Sequence, residues 1–130
     1  MTSQNSEDNI NLAEAFYERW LGVVPSQREC LLNGKNIELT KSLFDFFLKF
    51  AKNPDKFLSE DCLEPTDCKS KHDLIRKRVQ LVNKAFRPHF ENDPKVKTGI
   101  VKPCILVNRS KLGYKFNTDL IPLYSMGIYE

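Results

Sequence analysis

The chain has 130 residues, of which 41% are hydrophobic and 28% charged, and its formal net charge is +3. This length suits one domain with an ordinary hydrophobic core, and the composition excludes wholesale disorder. No apolar run approaches the roughly 20 residues that a membrane-spanning helix needs, and the N-terminus lacks the features of a signal peptide, so we expect a cytoplasmic protein with no membrane partner.

The cysteines are predicted to have structural roles. The chain has four cysteines, Cys30, Cys62, Cys68 and Cys104, which we expect to be reduced in the cytoplasm. Cys62, Cys68 and His72 are spaced more widely than the usual zinc-binding pair and lack an evident fourth ligand. We therefore expect neither a metal nor a cofactor.

The N-terminal part is predicted to hold a tail and a helix. Residues 1–10 are polar and are expected to form a disordered tail, and residues 11–130 are expected to form a single domain. A helix is predicted from Asn11 to the region of Gly22, because apolar residues recur at helical spacing, namely Leu12, Phe16 and Trp20. We interpret Trp20 as a core residue, and the alternative is that this helix makes a partner or homodimer surface.

A β-hairpin is predicted next. Asn33 and Gly34 are the favoured pair for a type I′ turn, since both accept positive φ. This turn would join a strand at Glu29–Leu32 to one at Lys35–Leu39.

Two helices are predicted after the hairpin. Thr40 would cap the first, which runs from Lys41 to about Lys52 and is dense in aromatic residues, so it belongs to the core. After a break at Asn53, Ser59 would cap a short second helix from Glu60 to about Leu63.

The stretch from Lys69 to Arg87 is predicted to be a basic amphipathic helix, with seven basic residues and one acidic residue. Its apolar stripe is Ile75, Val79, Val82 and Phe86. The opposite face carries Lys69, Arg76, Lys77, Gln80, Asn83, Lys84 and Arg87, with Asp73 among them. Such a helix suits the DNA major groove, where cations meet phosphates and amides pair with base edges. The alternative is a core helix whose charged face is only solvated.

The C-terminal third is predicted to contain a second hairpin. Residues 88–103 would be an irregular connection with an extended piece near Thr98–Val101. Ile105–Val107 and Leu112–Phe116 would be strands joined by a basic tip at Asn108–Lys111, with a bulge or close approach at Gly113. The tail from residue 118 is expected to pack on another surface, which the sequence does not identify.

This order of elements predicts an α+β fold, a winged helix-turn-helix. It would have a three-helix core, an N-terminal β-hairpin and a C-terminal β-hairpin wing, plus an extra N-terminal helix.

The stretch from residue 33 to 63 resembles the start of OmpR/PhoB-type winged-helix DNA-binding effector domains. The shared features are a turn with Gly, a strand ending in Leu-Thr, a Phe-bearing helix, an Asn-Pro break and a Ser-capped helix. The matching residues are Gly34, Leu39, Thr40, Phe44, Phe46, Phe47, Asn53, Pro54, Ser59 and Leu63, followed by Val79, Val82 and Phe86 of the recognition helix and by Leu112, Gly113, Tyr114 and Phe116 of the wing. The resemblance covers residues 29–117.

The chain departs from that family at several points. Asn83 stands where the recognition helix usually has Arg, and Lys111 stands where the wing usually has Gly. The N-terminal sheet is expected to be reduced, and no receiver domain is expected.

The resemblance implies sequence-specific binding of double-stranded DNA by a bacterial transcriptional regulator without catalysis. The implied DNA-binding residues are Lys69, Lys71, Arg76, Lys77, Gln80, Asn83, Lys84, Arg87, Arg109 and Lys111. The last two would act from the wing, and Lys69, Lys71 and Arg87 would hold the helix ends on phosphates. RNA polymerase or another regulator would be a further partner.

The alternatives to DNA binding are a protein-interaction module and an enzyme. A protein-interaction module on the same scaffold would suit the modest charge of +3, and Asp73 on the basic face would repel a phosphate. An enzyme is not expected, because the chain has no Gly-rich phosphate loop, no nucleophile elbow and no His–carboxylate pair at a catalytic spacing.

Overall fold

The computed structural model describes residues 20–66, 69–109 and 111–129. The predicted disordered tail and all but the last residue of the predicted N-terminal helix's apolar stripe lie outside these residues.

The described chain opens with three short strands, β1 (Leu21–Val24), β2 (Glu29–Leu32) and β3 (Lys35–Asn36). The predicted hairpin is confirmed, and Asn33 and Gly34 have φ of 52° and 83° at its turn, as a type I′ turn requires. The second strand of this hairpin, β3, is shorter than predicted, since it ends at Asn36 and not at Leu39. Its pairing extends by one more hydrogen bond, from the Ile37 N–H to the Cys30 carbonyl at 2.8 Å, before the chain leaves for the first helix.

The prediction of helix up to Gly22 is wrong at its end, because this stretch is strand β1. Leu21 and Val23 are fully buried on the core side, and Gly22 between them is buried on the other side by the rings of Trp20 and Tyr129, so that successive residues face opposite sides as in a strand. Trp20 is not a core residue either, since it is 44% exposed. Its ring lies instead 6.0 Å from that of Tyr129, against Gly22 on the outer side of the sheet.

Four α-helices follow, α1 (Lys41–Lys52), α2 (Glu60–Leu63), α3 (Lys71–Phe86) and α4 (Pro94–Lys97). The predicted caps of α1 and α2 are confirmed. The hydroxyl of Thr40 accepts the Leu43 N–H, and that of Ser59 accepts the Cys62 N–H, both at 3.3 Å. Each cap satisfies an N–H that the first helical turn would otherwise leave unpaired.

The chain between α3 and the wing is more ordered than predicted. A 3-10 helix, Arg87–Phe90, continues past Pro88, and α4 follows with Asp93 as its cap. The Asp93 carboxylate accepts the Lys95 N–H at 2.9 Å, and Pro94 at the first position favours helix. The extended piece predicted at Thr98–Val101 is therefore wrong, since the chain turns there after leaving α4.

The wing is a hairpin of β4 (Leu106–Arg109) and β5 (Gly113–Phe116). β4 starts one residue later and ends two residues later than the predicted Ile105–Val107, so the two strands of the wing are Leu106–Arg109 and Gly113–Phe116. The close approach predicted at Gly113 is confirmed, because the preceding chain crosses the hairpin there. Leu58 and Tyr114 pair through two backbone hydrogen bonds, of 2.7 and 3.0 Å.

The C-terminal tail completes the first sheet. β6 (Met126–Ile128) lies parallel to β1, with Gly22 opposite Gly127, and the strand order is β3-β2-β1-β6. The expectation of a reduced N-terminal sheet is therefore wrong, because its fourth strand comes from the other end of the described chain.

Aromatic side chains join the helices to the wing. Phe47 of α1 lies with its ring centroid 5.1 Å from that of Phe86 in α3 and 6.3 Å from that of Phe116 in β5. All three are fully buried, and burying each stabilises the fold by about 1.5–3 kcal/mol. This cluster fixes the wing beside α3.

Among the described residues no helix is both long and apolar enough to cross a lipid bilayer. Burial raises the pKa of the Cys30 thiol to about 12, so this cysteine stays protonated and unreactive at neutral pH.

Candidate nucleic-acid interface

Helix α3 is held by its apolar stripe, which turns its basic side outward. The four predicted stripe residues, Ile75, Val79, Val82 and Phe86, are all buried. Exposed side chains occupy the opposite side, and they include Arg76, Lys77, Gln80, Lys84 and the following Arg87. Lys69 is also exposed, in the turn that precedes the helix. One exposed surface, the basic face of α3, thus collects six of the ten residues assigned to DNA.

Two other basic residues of α3, Arg78 and Lys71, form ion pairs with acids that precede the helix in the chain. Arg78 lies 3.1 Å from Glu64 and over the ring of Phe46, with its guanidinium carbon 5.9 Å from the centroid. Its hydrogen bond is the main cause that lowers the pKa of the Glu64 carboxyl. Lys71, predicted to contact phosphate, lies 2.9 Å from Asp61, and its side chain is only 14% exposed.

Asn83 does not belong to the basic face, which corrects its assignment to DNA. Its side-chain amide donates to the Leu106 carbonyl at 3.1 Å and accepts the Leu106 N–H at 2.9 Å. An amide whose oxygen and nitrogen are both engaged by backbone is not available to read a base. Asn83 instead clamps the first residue of β4 to α3, and so holds the wing against the helix.

Replacing Asn83 with alanine is expected to lower the free energy of unfolding by about 2 kcal/mol. The change leaves the N–H and carbonyl of Leu106 without their partner, and Leu106 is only 1% exposed, where each unmade hydrogen bond costs about 1–3 kcal/mol. Urea denaturation followed by circular dichroism measures the loss. Gln80→Ala, on the exposed side of the same helix, is the matched control and should change stability by less than about 0.5 kcal/mol. Equal losses in the two variants would contradict the clamp.

The wing runs along α3 from its later turns towards its first. Leu106 contacts Asn83, whereas Arg109 at the other end of β4 lines a groove with His72. This groove has a volume of about 460 Å³ and lies between the start of α2, the start of α3 and the wing tip. Lys111 also lines it, so both predicted wing cations face this end of α3.

The groove carries acids as well as cations. Nδ1 of His72 lies 2.5 Å from a carboxylate oxygen of Glu60, and Asp61 lines the same space. Burial, and next the negative charge of Glu60, raise the pKa of Tyr114 at its floor. The groove is therefore of mixed charge, whereas the later turns of α3 are basic.

His72 is engaged by Glu60, and Cys68 lies outside the described residues, so the Cys62, Cys68 and His72 pattern gains no support. Within the residues that the structure describes, no group of His, Cys, Asp or Glu side chains is arranged to hold a metal ion.

Sequence reasoning missed the acidic side of this site. Glu60 and Asp61 lie in the first turn of α2, where acids interact favourably with the helix dipole, and this local role gives no sign of a further contact. Their contacts with His72 and Lys71 join residues that are 12 and 10 positions apart. The signal for these contacts was the acidic start of α2 followed at that distance by a basic stretch.

Comparisons with known proteins bear on the fold. No family model and no curated protein matches the chain. Among solved structures, the chain is similar to the C-terminal DNA-binding domain of the RstA protein from Klebsiella pneumoniae, with 18% sequence identity and a TM-score of 0.54. The match covers 80% of this chain and 86% of that domain. The resemblance noted in the sequence is thus confirmed at the level of architecture, and the chain has the winged helix-turn-helix fold.

Proposed function

We propose that this protein binds double-stranded DNA, with the basic face of α3 in the major groove and the wing on the adjacent backbone or minor groove. The observation that carries the proposal is the orientation of α3 against the core. Its apolar stripe is buried, and Lys77, Gln80 and Lys84 stand exposed in one row on the opposite side. The similar fold of a DNA-binding domain supports DNA binding as the function.

The charges favour the later turns of α3 as the stronger phosphate contact. Lys77 and Lys84 lie beyond the first turn and Arg87 directly follows the helix, while Asp73 lies in the first turn and Glu60 and Asp61 line the groove beside it. Cations release condensed counterions from DNA, and nearby carboxylates oppose this. The proposed contact set is the basic face together with Arg109 and Lys111, while Lys71 acts by positioning the start of the helix.

A salt titration tests the proposal. Fluorescence anisotropy of a labelled random duplex should give an affinity that falls with salt, with a log–log slope of about −4.5, since about five phosphates are neutralised. Lys71 is not counted among these phosphate contacts, because Asp61 engages it at 2.9 Å. Absence of binding to any duplex at low salt would end the proposal.

In addition to DNA binding, we propose a regulatory role. Gln80 offers an amide to base edges beside the cations, which is the requirement for sequence-specific binding by a cytoplasmic transcriptional regulator. RNA polymerase or a second regulator would then be a further partner, and catalysis has no part in this function.

A second candidate function is protein binding through the outer side of the sheet. Trp20 and Tyr129 are 44% and 48% exposed there, and their rings lie over the paired glycines of β1 and β6. Apolar contacts resist salt, whereas DNA binding does not. A partner whose retention persists at high salt and is lost in Trp20→Ala would favour this function. The predicted homodimer through the N-terminal helix lies outside the described residues.

A further inference from the structure

The basic face of α3 also carries one carboxylate, that of Asp73. Asp73, Lys77, Gln80 and Lys84 follow one another at intervals of four, three and four residues, which places them along one side of the helix. Asp73 is exposed, with 73% of its side chain accessible. A carboxylate on a surface that meets phosphates weakens binding to every DNA sequence alike.

The other acids near this end are tied to partners off the row. Glu60 contacts His72 at 2.5 Å and Asp61 contacts Lys71 at 2.9 Å. Asp73 contacts Arg76 at 3.4 Å, and the Arg76 side chain is itself 59% exposed. The long distance and the exposure leave a carboxylate oxygen and most of the guanidinium N–H groups open to a ligand, with the two side chains held side by side.

We propose that Asp73 is a specificity-determining residue that accepts a hydrogen bond from the N4 amino group of cytosine, with Arg76 donating to the guanine of that base pair or its neighbour. This inference rests on the proposed function. The first turn of a recognition helix is the part that reaches base edges, and Asp73 lies in the first turn of α3.

The chemistry of the major groove selects cytosine. A carboxylate only accepts hydrogen bonds, so it pairs with a base edge that only donates. Cytosine presents its N4 amino group, whereas adenine places the N7 acceptor beside its N6 donor. Guanine presents O6 and N7, two acceptors that suit the guanidinium fork of Arg76. The pair Asp73 and Arg76 therefore complements a G·C base pair and repels edges with the opposite polarity.

A role in helix stability alone is the rival explanation. An acid in the first turn interacts favourably with the helix dipole, and Asp73 would do so whatever the ligand. The two explanations differ in what happens to base preference when Asp73 becomes Asn, since asparagine keeps the size of the side chain and loses its charge.

Selection from a randomised duplex library tests the proposal, using the full chain as wild type, Asp73→Asn, and Asp55→Asn as a control acid in the loop after α1. The wild type should enrich cytosine at one position, and the enriched duplex should bind about 10- to 100-fold more tightly than the same duplex with that pair replaced. Asp73→Asn should lose this preference and bind random duplex as tightly as the wild type or more tightly, because a repulsive charge is gone. Asp55→Asn should keep the preference.

A second probe removes the invoked donor. Replacing the selected cytosine by 2′-deoxyzebularine, which lacks the N4 amino group, also removes one hydrogen bond to the paired guanine, and that loss is common to both proteins. Wild-type binding should therefore weaken by about tenfold or more relative to that of Asp73→Asn. Retention of the cytosine preference by Asp73→Asn, or equal zebularine effects in both proteins, would overturn the inference while DNA binding itself stands. Failure of the wild type to retain any duplex would overturn the inference together with the proposed function.

Discussion

Replacing Lys77 and Lys84 together by glutamate is expected to reduce affinity for duplex DNA by about 100-fold at 0.1 M salt. Each lost phosphate contact removes about 0.9 from the magnitude of the log–log salt slope, which is worth nearly tenfold at this concentration. Both side chains are exposed and lie one turn either side of Gln80, so the substitution adds repulsion without touching the core. Anisotropy titrations at several salt concentrations give both the affinity and the slope.

The control for this variant carries the same change in charge elsewhere. Lys35 in β3 and Lys41 at the start of α1 are also exposed, and neither lies on α3 or the wing. Replacing both by glutamate should cost less than about tenfold and leave the slope unchanged, since only long-range repulsion, screened over about 10 Å at 0.1 M salt, is added. Equal losses in the two variants would mean that net charge, and not the basic face of α3, governs binding.

The local features of the helices and of the first hairpin could be predicted because their signals lie within a few residues. Thr40 and Ser59 each precede an N–H that needs an acceptor, and Asn33-Gly34 accepts the φ values of one particular turn. The apolar spacing along α3 likewise determines which of its residues are buried. In each case the chemistry of a short segment decides the structure.

The sheet could not be predicted in the same way, because its fourth strand is distant in sequence. Met126–Ile128 is a short segment with little pattern of its own, and it becomes a strand because β1 offers an unpaired edge. Once this pairing forms, Leu21 and Val23 face the core as a strand does, and Trp20 is left on the outer side. Local periodicity at Trp20 was therefore overridden by a contact between the two ends of the described chain.

The candidate site shows the same division between local and distant signals. The exposure of Lys77, Gln80 and Lys84 follows from helical spacing alone. The role of Asn83 depends on Leu106, which lies 23 residues away, and a polar residue on a basic helix gives no sign of such a partner. A side chain of a type that can bind DNA bases can thus be bonded to the protein's own backbone instead. Only its hydrogen bonds show which of these two roles it has.

Gly113→Ala is expected to lower the free energy of unfolding by about 3 kcal/mol or more, since it combines a strained backbone with a steric collision. Gly113 has φ of +107°, which side-chain-bearing residues rarely adopt, and an added Cβ would lie 2.2 Å from the Leu58 carbonyl oxygen. That oxygen accepts the Tyr114 N–H at 3.0 Å, so it cannot move without breaking the bridge to the wing. Thermal unfolding followed by circular dichroism should show a midpoint lower by about 10 °C.

Gly34→Ala separates the collision from the backbone strain. Gly34 also has positive φ, of +83°, but among the described residues nothing lies within 4 Å of an added Cβ, so this variant should lose only about 1 kcal/mol. The excess in Gly113→Ala then measures the crossing of the Leu58 segment over the wing. Because that crossing also sets where Arg109 and Lys111 lie beside α3, the variant at a temperature where it remains folded should bind duplex DNA more weakly, whereas Gly34→Ala should bind as the wild type does. Equal stability losses in the two variants would show that Leu58 yields readily and that the wing is not fixed by this contact.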